Sequence, residues 1–595
     1  MIRPFVNRID EMRRLNKTLK YNGKEVPVLV FTGIGGMGKT ALRIAFEEQM
    51  LKPKKIPYAV LDYDGDPNLR PIEASLRTMR RQLGRYKVKT PVFDYLCARY
   101  FELSSGIKLS AKNYPPELEG VVNILEGIPF VGNVTQILHG LSQLGLSAKE
   151  RVQHKEWLYR IRELEPREVL NLLPEVLAED LEEAMSSQAV QILKSSQSRI
   201  VLLLDAYERL SESQIDDTLH RKFLFLTPHL LRIIFTRDPL PWEHKFPKEW
   251  QGKITHFPSL EVLSWDDAEI LLRKKNVDNP DLQRHLYQLT GGYPFHLELC
   301  ADICREIEEG TGKEPEIQDF QVAAEAKDLT EGLVQRLLRQ LKDNERDLMG
   351  LACYPRWVCE DVLEVLSSVP ESVLRIFEKF KRLSMFSSHP EISDAYVIRK
   401  EVRECLLVQE RQKRLWKKHH GKLSTFHKER WEETQRFYHL QEAVYHSFYE
   451  NLEQAIKLFE EHFWKLLEKF NFGQAEGLLE AVPIETLSEE SKRKVDYARA
   501  RLLTTTSRSQ QSLQTAKNIF ESLVTSEKDE ELLGKYYHSF GAHLCTLAEY
   551  DKALEYLQKA LSIYLKVYGE EQDAVAECYN SIGVIYREQA EYEKA

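Results

Sequence analysis

The chain has 595 residues, too many for one hydrophobic core, so about three to five domains are expected. Its 43% hydrophobic and 29% charged residues are ordinary for folded protein and exclude a largely unstructured chain. A net charge of −9, from 83 basic and 92 acidic residues, excludes a global attraction to nucleic acid or anionic membrane, and a nucleic-acid role needs a local patch.

From the N-terminus, MIRPFVNRIDEMRR lacks the apolar run of a signal peptide. The eight cysteines are scattered and form no CxxC. Cys300 and Cys304 sit one helical turn apart and Cys353 and Cys359 are near neighbours, but neither pair has histidines at zinc spacing. Reduced core cysteines in a cytoplasmic protein are expected.

The first predicted strand is the apolar, β-branched run 26–31, which leads into a glycine-rich turn. After Lys39 the period becomes helical, with Ala41, Leu42, Ile44, Ala45 and Phe46. Further strands are predicted over Tyr58–Asp62, 199–205 and Leu231–Thr236, with helical stretches between them. Short buried strands alternating with helices predict a three-layer α/β domain.

A long insertion, roughly 90–195, interrupts that domain. Its middle, residues 120–146, carries Glu126 as its one charged residue and is long enough to span a bilayer. Asn123, Pro129, Asn133, Gln136, His139 and Gln143 interrupt it, which disfavours a stable membrane span. Two readings stay open: a helical hairpin packed on protein, and a membrane-active or self-associating element. From about residue 265 the chain reads as helical to its end. Near the C-terminus Gly541, Tyr550 and Ala553 recur 42 residues later as Gly583, Tyr592 and Ala595. Small residues where two helices approach, with aromatics beside them, predict a stacked repeat. The second copy breaks off at Ala595, so further repeats are expected beyond it.

The motif richest in chemistry is Gly33-Ile-Gly-Gly-Met-Gly38-Lys39-Thr40, a full GxxxxGK[ST] match between a predicted strand and a helix. Its glycines let backbone N–H groups turn inward around phosphate oxygens, and the next helix adds its positive end. Gly33, Gly35, Gly36, Met37, Gly38, Lys39, Thr40 and Ala41 are therefore the candidate ATP/ADP cradle. Lys39 is expected on the β and γ phosphates, and the Thr40 hydroxyl on Mg²⁺. Five apolar residues, 200–204, end in Asp205, a carboxylate on a buried strand tip and the second expected Mg²⁺ ligand. Glu208 is either the group that orients or deprotonates the attacking water or a solvated loop carboxylate. Arg237, after the Leu231–Thr236 strand, either reaches a γ-phosphate or pairs with Asp238. Gly291-Gly292-Tyr293-Pro294 places a glycine pair and a proline at a helix start.

Taken together these motifs resemble the STAND class of signal-transduction NTPases, which includes the NB-ARC and NACHT modules. Phe5-Val6-Asn7-Arg8, with Glu11 and Leu15, resembles the family's FxGRxxEL opening segment, with Asn7 in place of glycine; this implies adenine contacts for Val6 and Arg8. Gly33 to Thr40 matches Walker A. Asp205 with Glu208 resembles the NACHT form of Walker B. Thr236-Arg237-Asp238 resembles the NB-ARC sensor arginine, and Gly292-Tyr293-Pro294 the GxP motif, whose proline, Pro294, lies on adenine. Aligning Val402-Arg403-Glu404 with the family's ending puts Arg399 and Lys400 where a His-Asp pair senses diphosphate, and makes Arg399 a candidate β-phosphate ligand. The terminal repeats resemble tetratricopeptide repeats.

The resemblance implies a multidomain α/β + α chain. A P-loop NTPase domain covers 1–262 with its helical insertion at 90–195. A small helical domain covers 263–338, a winged-helix domain 339–410 and a helical linker of degenerate repeats 411–530. A truncated tetratricopeptide α-solenoid covers 531–595. It also implies a slow ATPase working as a switch, closed with ADP and open with ATP, whose repeats bind a protein or peptide and whose active form is a homo-oligomer, with antiphage defence as a family-level role. Two rivals stay in view. One is a STAND-class transcription regulator that binds DNA through the winged helix, for which the basic stretch 411–430 is the candidate patch, the other reading being a solvated linker helix. The other is a scaffold held by nucleotide without turnover. An AAA+-type loader ranks lower, since no arginine-finger motif is found and the chain continues into repeats.

Overall fold

The computed structural model describes residues 8–21, 25–65, 69–105, 166–186, 199–212, 217–324, 328–389, 392–469, 471–506, 510–570 and 573–589, with 164, 326, 591 and 593–594. Val6, the 120–146 stretch, Tyr592 and Ala595 lie outside the described residues. The chain divides into two compact units, one of 1–209 with 219–450, the other of 210–218 with 451–595.

In the first unit α1 (Ile9–Leu19) precedes β1 (Val28–Thr32), α2 (Lys39–Phe46) and β2 (Tyr58–Asp62). Then come α3 (Ile72–Gly84), α4 (Pro91–Ser105), α5 (Pro166–Ser186), β3 (Val201–Asp205), α6 (Thr218–Leu226), β4 (Leu231–Thr236) and β5 (Ile254–His256). The five strands form one parallel sheet in the order β2-β3-β4-β1-β5. Every residue of β1, β3 and β4 is buried, because a central strand of a covered parallel sheet has no wet face. Edge strand β2 alternates instead, and β5 is three residues long and mostly exposed. The four predicted strands are all present; β5 lacks the apolar run that revealed them.

The order has a functional consequence. β4 lies between β1 and β3, pairing Leu29 with Ile233 on one side and Leu203 with Ile233 on the other. Its carboxyl end, Thr236, therefore sits between the glycine loop after β1 and the Asp205 tip of β3. Crevices at the carboxyl ends of parallel strands are where α/β sheets take ligands.

Beyond the sheet, α7 (Trp265–Lys274), α8 (Pro280–Thr290), α9 (Pro294–Thr311) and α10 (Leu329–Leu338) follow. Ser264 caps α7 by accepting from the Asp267 N–H, and Asn279 caps α8 with Pro280 in its first turn. Next come α11 (Asp343–Ala352), α12 (Glu360–Leu366), α13 (Val373–Phe380) and an antiparallel hairpin of β6 (Phe386–Ser388) and β7 (Tyr396–Ile398). Val358 bridges Tyr396 and adds a third short run to the hairpin. This hairpin corrects the expectation of helix throughout after residue 265; three-residue strands are too short to declare a period. The unit closes with α14 (Lys400–Glu410), α15 (Trp416–Thr434) and α16 (Phe437–Glu450). The arm expected from 411 thus divides, its first two helices belonging to this unit. One apolar core joins Leu286, Leu297, Cys300, Leu337, Met349, Phe377 and Leu407.

The second unit stacks α17 (Leu452–Glu468), α18 (Phe472–Glu480), α19 (Glu489–Thr506), α20 (Gln510–Ser526), α21 (Glu530–Thr546), α22 (Tyr550–Tyr568) and α23 (Asp573–Glu588). Tyr497, Phe520, Tyr536, Phe540 and Leu557 fill its core. A Cβ on Gly541 would come within 2.6 Å of the Leu557 side chain and 3.1 Å of the Ala553 carbonyl. The glycine lets α21 and α22 touch, as the repeat pattern predicts.

All eight cysteines are free thiols, and Cys97, Cys300, Cys304, Cys353 and Cys578 are buried. Burial pushes the Cys304 thiol up to about 12, so it is inert at neutral pH. Among the described residues no helix is long and apolar enough to cross a membrane.

Candidate nucleotide site

The loop of residues 33–38 joins a buried strand to a helix that starts without a side-chain cap. Gly36 (φ 76°) and Gly38 (φ 87°) take left-handed backbone that most side chains resist. The first N–H groups of α2 have no acceptor within the helix, and they point to where an anion would lie. Thr40 and Ala41 are exposed at that end, and Met37 is buried beneath it. The Lys39 ammonium folds back on the Gly33 carbonyl and reaches the Ile34 carbonyl at 3.1 Å. Burial lowers its affinity for the proton, and the nearby Glu208 and Asp205 oppose this.

Arg8 fastens this loop from behind. Its guanidinium donates to the Met37 carbonyl at 3.1 Å and to the Glu261 carbonyl at 2.6 Å. A residue expected at the adenine also braces the loop backbone.

At the tip of β3, Asp205 is 2% exposed and lies opposite Asp62 of β2. Its Oδ2 accepts from Arg43 Nε at 2.8 Å, and its Oδ1 accepts from the Ala206 N–H at 3.0 Å. Arg43 projects from α2, the helix that opens with Lys39, and also pairs with Glu47 at 2.6 Å and Asp62 at 3.6 Å. Burial first, then the charge of Asp205, raises the Asp62 carboxyl to about 6. Arg43 and Asp62 were missed in the sequence. Each had a signal: an arginine beside Leu42, Ala45 and Phe46 on an inward face, and an aspartate ending an apolar run as Asp205 does.

Glu208 is buried, and its two oxygens meet Arg237: one accepts from the Arg237 N–H at 3.1 Å, the other lies 3.3 Å from its Nε. Arg237 thus pairs with Glu208 in place of the alternative partner, Asp238. The strand order brings Lys39, Asp205, Glu208 and Arg237 to one end of the sheet.

The Gly-Tyr-Pro turn reaches the same loop through tyrosine. Pro294 opens α9, and the Tyr293 hydroxyl donates to the Gly35 carbonyl. A Cβ on Gly36 would lie 2.0 Å from the Tyr293 oxygen, so ring and loop are in contact. Gly292 has φ 76°, and a Cβ there would meet the Leu263 carbonyl at 2.5 Å. Gly292→Ala is expected to destabilise the protein by about 2 kcal/mol through strain and clash together, read as a lower midpoint in thermal unfolding.

Arg399 is engaged elsewhere. It donates to the Ser384 carbonyl at 3.2 Å, lies 3.9 Å from Glu298, and covers the Phe295 ring at 4.5 Å. The side chain that approaches the loop from this region is Glu401, 3.5 Å from where a Cβ on Gly35 would stand. The basic stretch 411–430 runs from the turn after α14 through most of α15. There Lys413 pairs with Glu410, Lys422 donates to the Val365 carbonyl, and Arg430 pairs with Glu433 and Asp361.

Residues 532–595 match the family model for the tetratricopeptide repeat. No curated protein matches the chain. Among solved structures, a signal transduction ATPase with numerous domains (STAND) protein with a tetratricopeptide repeat sensor from Pyrococcus horikoshii aligns at 14% identity. The alignment covers 99% of this chain and 81% of that one, with a TM-score of 0.41. The Aeropyrum pernix ORC1 protein, solved in complex with DNA, aligns at 12% identity over 68% of this chain and 93% of its own, with a TM-score of 0.27. The chain joins a phosphate-loop α/β sheet to a C-terminal segment of tetratricopeptide repeats.

Proposed function

We propose that the chain is an ATP-binding, slowly hydrolysing switch of the STAND class, acting in the cytoplasm, whose repeats take a protein or peptide ligand and whose ATP-bound form self-associates. One observation carries this reading: a GxxxxGKT loop and an Asp205–Glu208–Arg237 cluster share the carboxyl end of one parallel sheet. The loop amides and Lys39 bind the β and γ phosphates. Pro294 and Arg8 border the adenine side, and Arg237, freed from Glu208, reaches a γ-phosphate when one is present.

Thr40 and Asp205 would hold Mg²⁺, and the donor set fits, an exposed threonine next to Lys39 and a strand-tip carboxylate whose charge acts on Lys39. The ion would neutralise charge developing on the phosphates. Glu208 accepts the proton of the attacking water once Arg237 has turned away. The segment of α11, Val358, α12, α13 and the β6–β7 hairpin is read as the winged helix, with Arg399 as a candidate β-phosphate ligand after rearrangement. Driving such a switch from 1:99 to 99:1 needs about 5.5 kcal/mol of differential binding, which repeat ligand and γ-phosphate would share.

Calorimetric titration with ATP and Mg²⁺ is expected to show saturable uptake. Glu208→Gln should keep that uptake while turnover falls at least about 100-fold. Undiminished hydrolysis would remove Glu208 from the chemistry, and no uptake by folded protein would overturn the whole reading.

A further inference from the structure

Along α15 and α16 the protein buries a cluster of imidazoles. His420 and His427 lie seven residues apart on α15, and His439 and His446 seven apart on α16, so each pair shares a helix face. Glu442 sits one turn before His446. His420, His427, His446 and Glu442 are fully buried.

The hydrogen bonds leave a pattern. His427 Nδ1 meets His439 Nδ1 at 2.9 Å, and His446 Nδ1 meets His420 Nδ1 at 2.8 Å. These contacts occupy one nitrogen of each inner ring. Of the remaining nitrogens, Nε2 of His427 is buried without a hydrogen-bond partner among the described residues, while Nε2 of His446 faces Glu442. Glu442 gives Oε1 to Arg356 Nε at 2.6 Å, while Oε2 takes the Arg356 N–H at 3.2 Å and lies 3.4 Å from His446 Nε2. One ligand atom each from His427, Glu442 and His446 lie within 4.8 Å of one another.

We propose that His427 Nε2, His446 Nε2 and Glu442 Oε2 form a binding site for a divalent first-row metal ion of the zinc type. Two imidazole nitrogens and a carboxylate oxygen are a donor set such an ion takes, with water completing a tetrahedron. Ligand atoms around tetrahedral zinc stand about 3.3 Å apart, so the 3.4 Å His446–Glu442 spacing already suits, with a His427 ligand atom within 4.8 Å of both residues' ligand atoms. His439 and His420 serve as outer partners that accept the Nδ1 protons and fix which nitrogen faces the ion. Arg356 orients the carboxylate through its far oxygen. Neutral imidazole is the form that binds metal. The protein-only arrangement leaves Nε2 of His427 unsatisfied and Nε2 of His446 on a long contact to Glu442, and an ion would satisfy both. Bound there, it would staple α15 to α16.

The test uses the full chain, stripped with a chelator and free of nucleotide, titrated with Co²⁺. Stoichiometric uptake with the visible bands of tetrahedral cobalt is expected, displaced by Zn²⁺ and unchanged in Asp205→Asn. The double variant His427→Gln/His446→Gln should lose the bands and bind at least about 100-fold more weakly. No saturable band in the wild type, or bands that persist in the double variant, would overturn the proposal. Should the double variant fail to fold, X-ray absorption of the zinc-loaded wild type decides: two imidazoles in the first shell support the site, and none rejects it.

Discussion

Lys39→Ala is expected to weaken ATP binding by at least about 100-fold while leaving thermal stability within a degree or two. Charge-assisted hydrogen bonds to phosphate contribute about 1.5–3 kcal/mol each, and about 1.4 kcal/mol is a tenfold change in affinity. In the role proposed above Lys39 would make two such bonds, one to each terminal phosphate. Its ammonium donates to the carbonyls of Gly33 and Ile34. Those carbonyls belong to a loop that Arg8 and Tyr293 also brace, so the fold tolerates the loss. Paired calorimetry and thermal unfolding of the wild type and variant measure both quantities. Affinity within about threefold of wild type would move the phosphates away from this loop.

Arg43→Ala is expected to destabilise the protein by about 3–5 kcal/mol, the scale seen when one partner of a buried ion pair is removed. Arg43 is buried and compensates Asp205, Asp62 and Glu47 together. Asp62 already holds its proton up to about 6 with the arginine present, so removing the cation leaves adjoining strand tips with facing carboxylates. Urea unfolding reads the loss, and adding Asp62→Asn to Arg43→Ala should recover part of it. Recovery of nothing would show that Asp62 is insulated from Asp205. Arg43 also engages Oδ2 of Asp205, the carboxylate proposed above as a Mg²⁺ ligand.

What could be read from the sequence was what neighbouring residues decide together. The glycine loop, its strand and its helix lie within one short stretch, and residues 33–41 take the form their spacing predicts. β3 and β4 announce themselves because burial on both faces forces an unbroken apolar run. β5 escapes for the opposite reason, being exposed and three residues long. Partnerships across the chain were not legible. Arg43 meets Asp205 across 162 positions, and Tyr293 meets Gly35 across 258, and no periodicity encodes such distances. Glu208 and Arg237 were each singled out, but their mutual pairing depends on β4 lying beside β3, a matter of sheet order. The histidines of α15 and α16 carried a faint local mark, the seven-residue spacing on each helix, which becomes chemistry only when the two faces meet.

The glycine at 541 has a geometric consequence for whatever the repeats grip. There the Leu557 side chain and the Ala553 carbonyl of α22 pack into the space a Cβ would fill. A single added methyl there would wedge the two helices apart by a few degrees. In a stack whose members touch only their neighbours, that small angle is inherited by each later member, and the hollow of the superhelix opens or tightens as a whole. Were the repeats to take the ligand proposed above, the curvature offered to it would be set in part by the packing at Gly541.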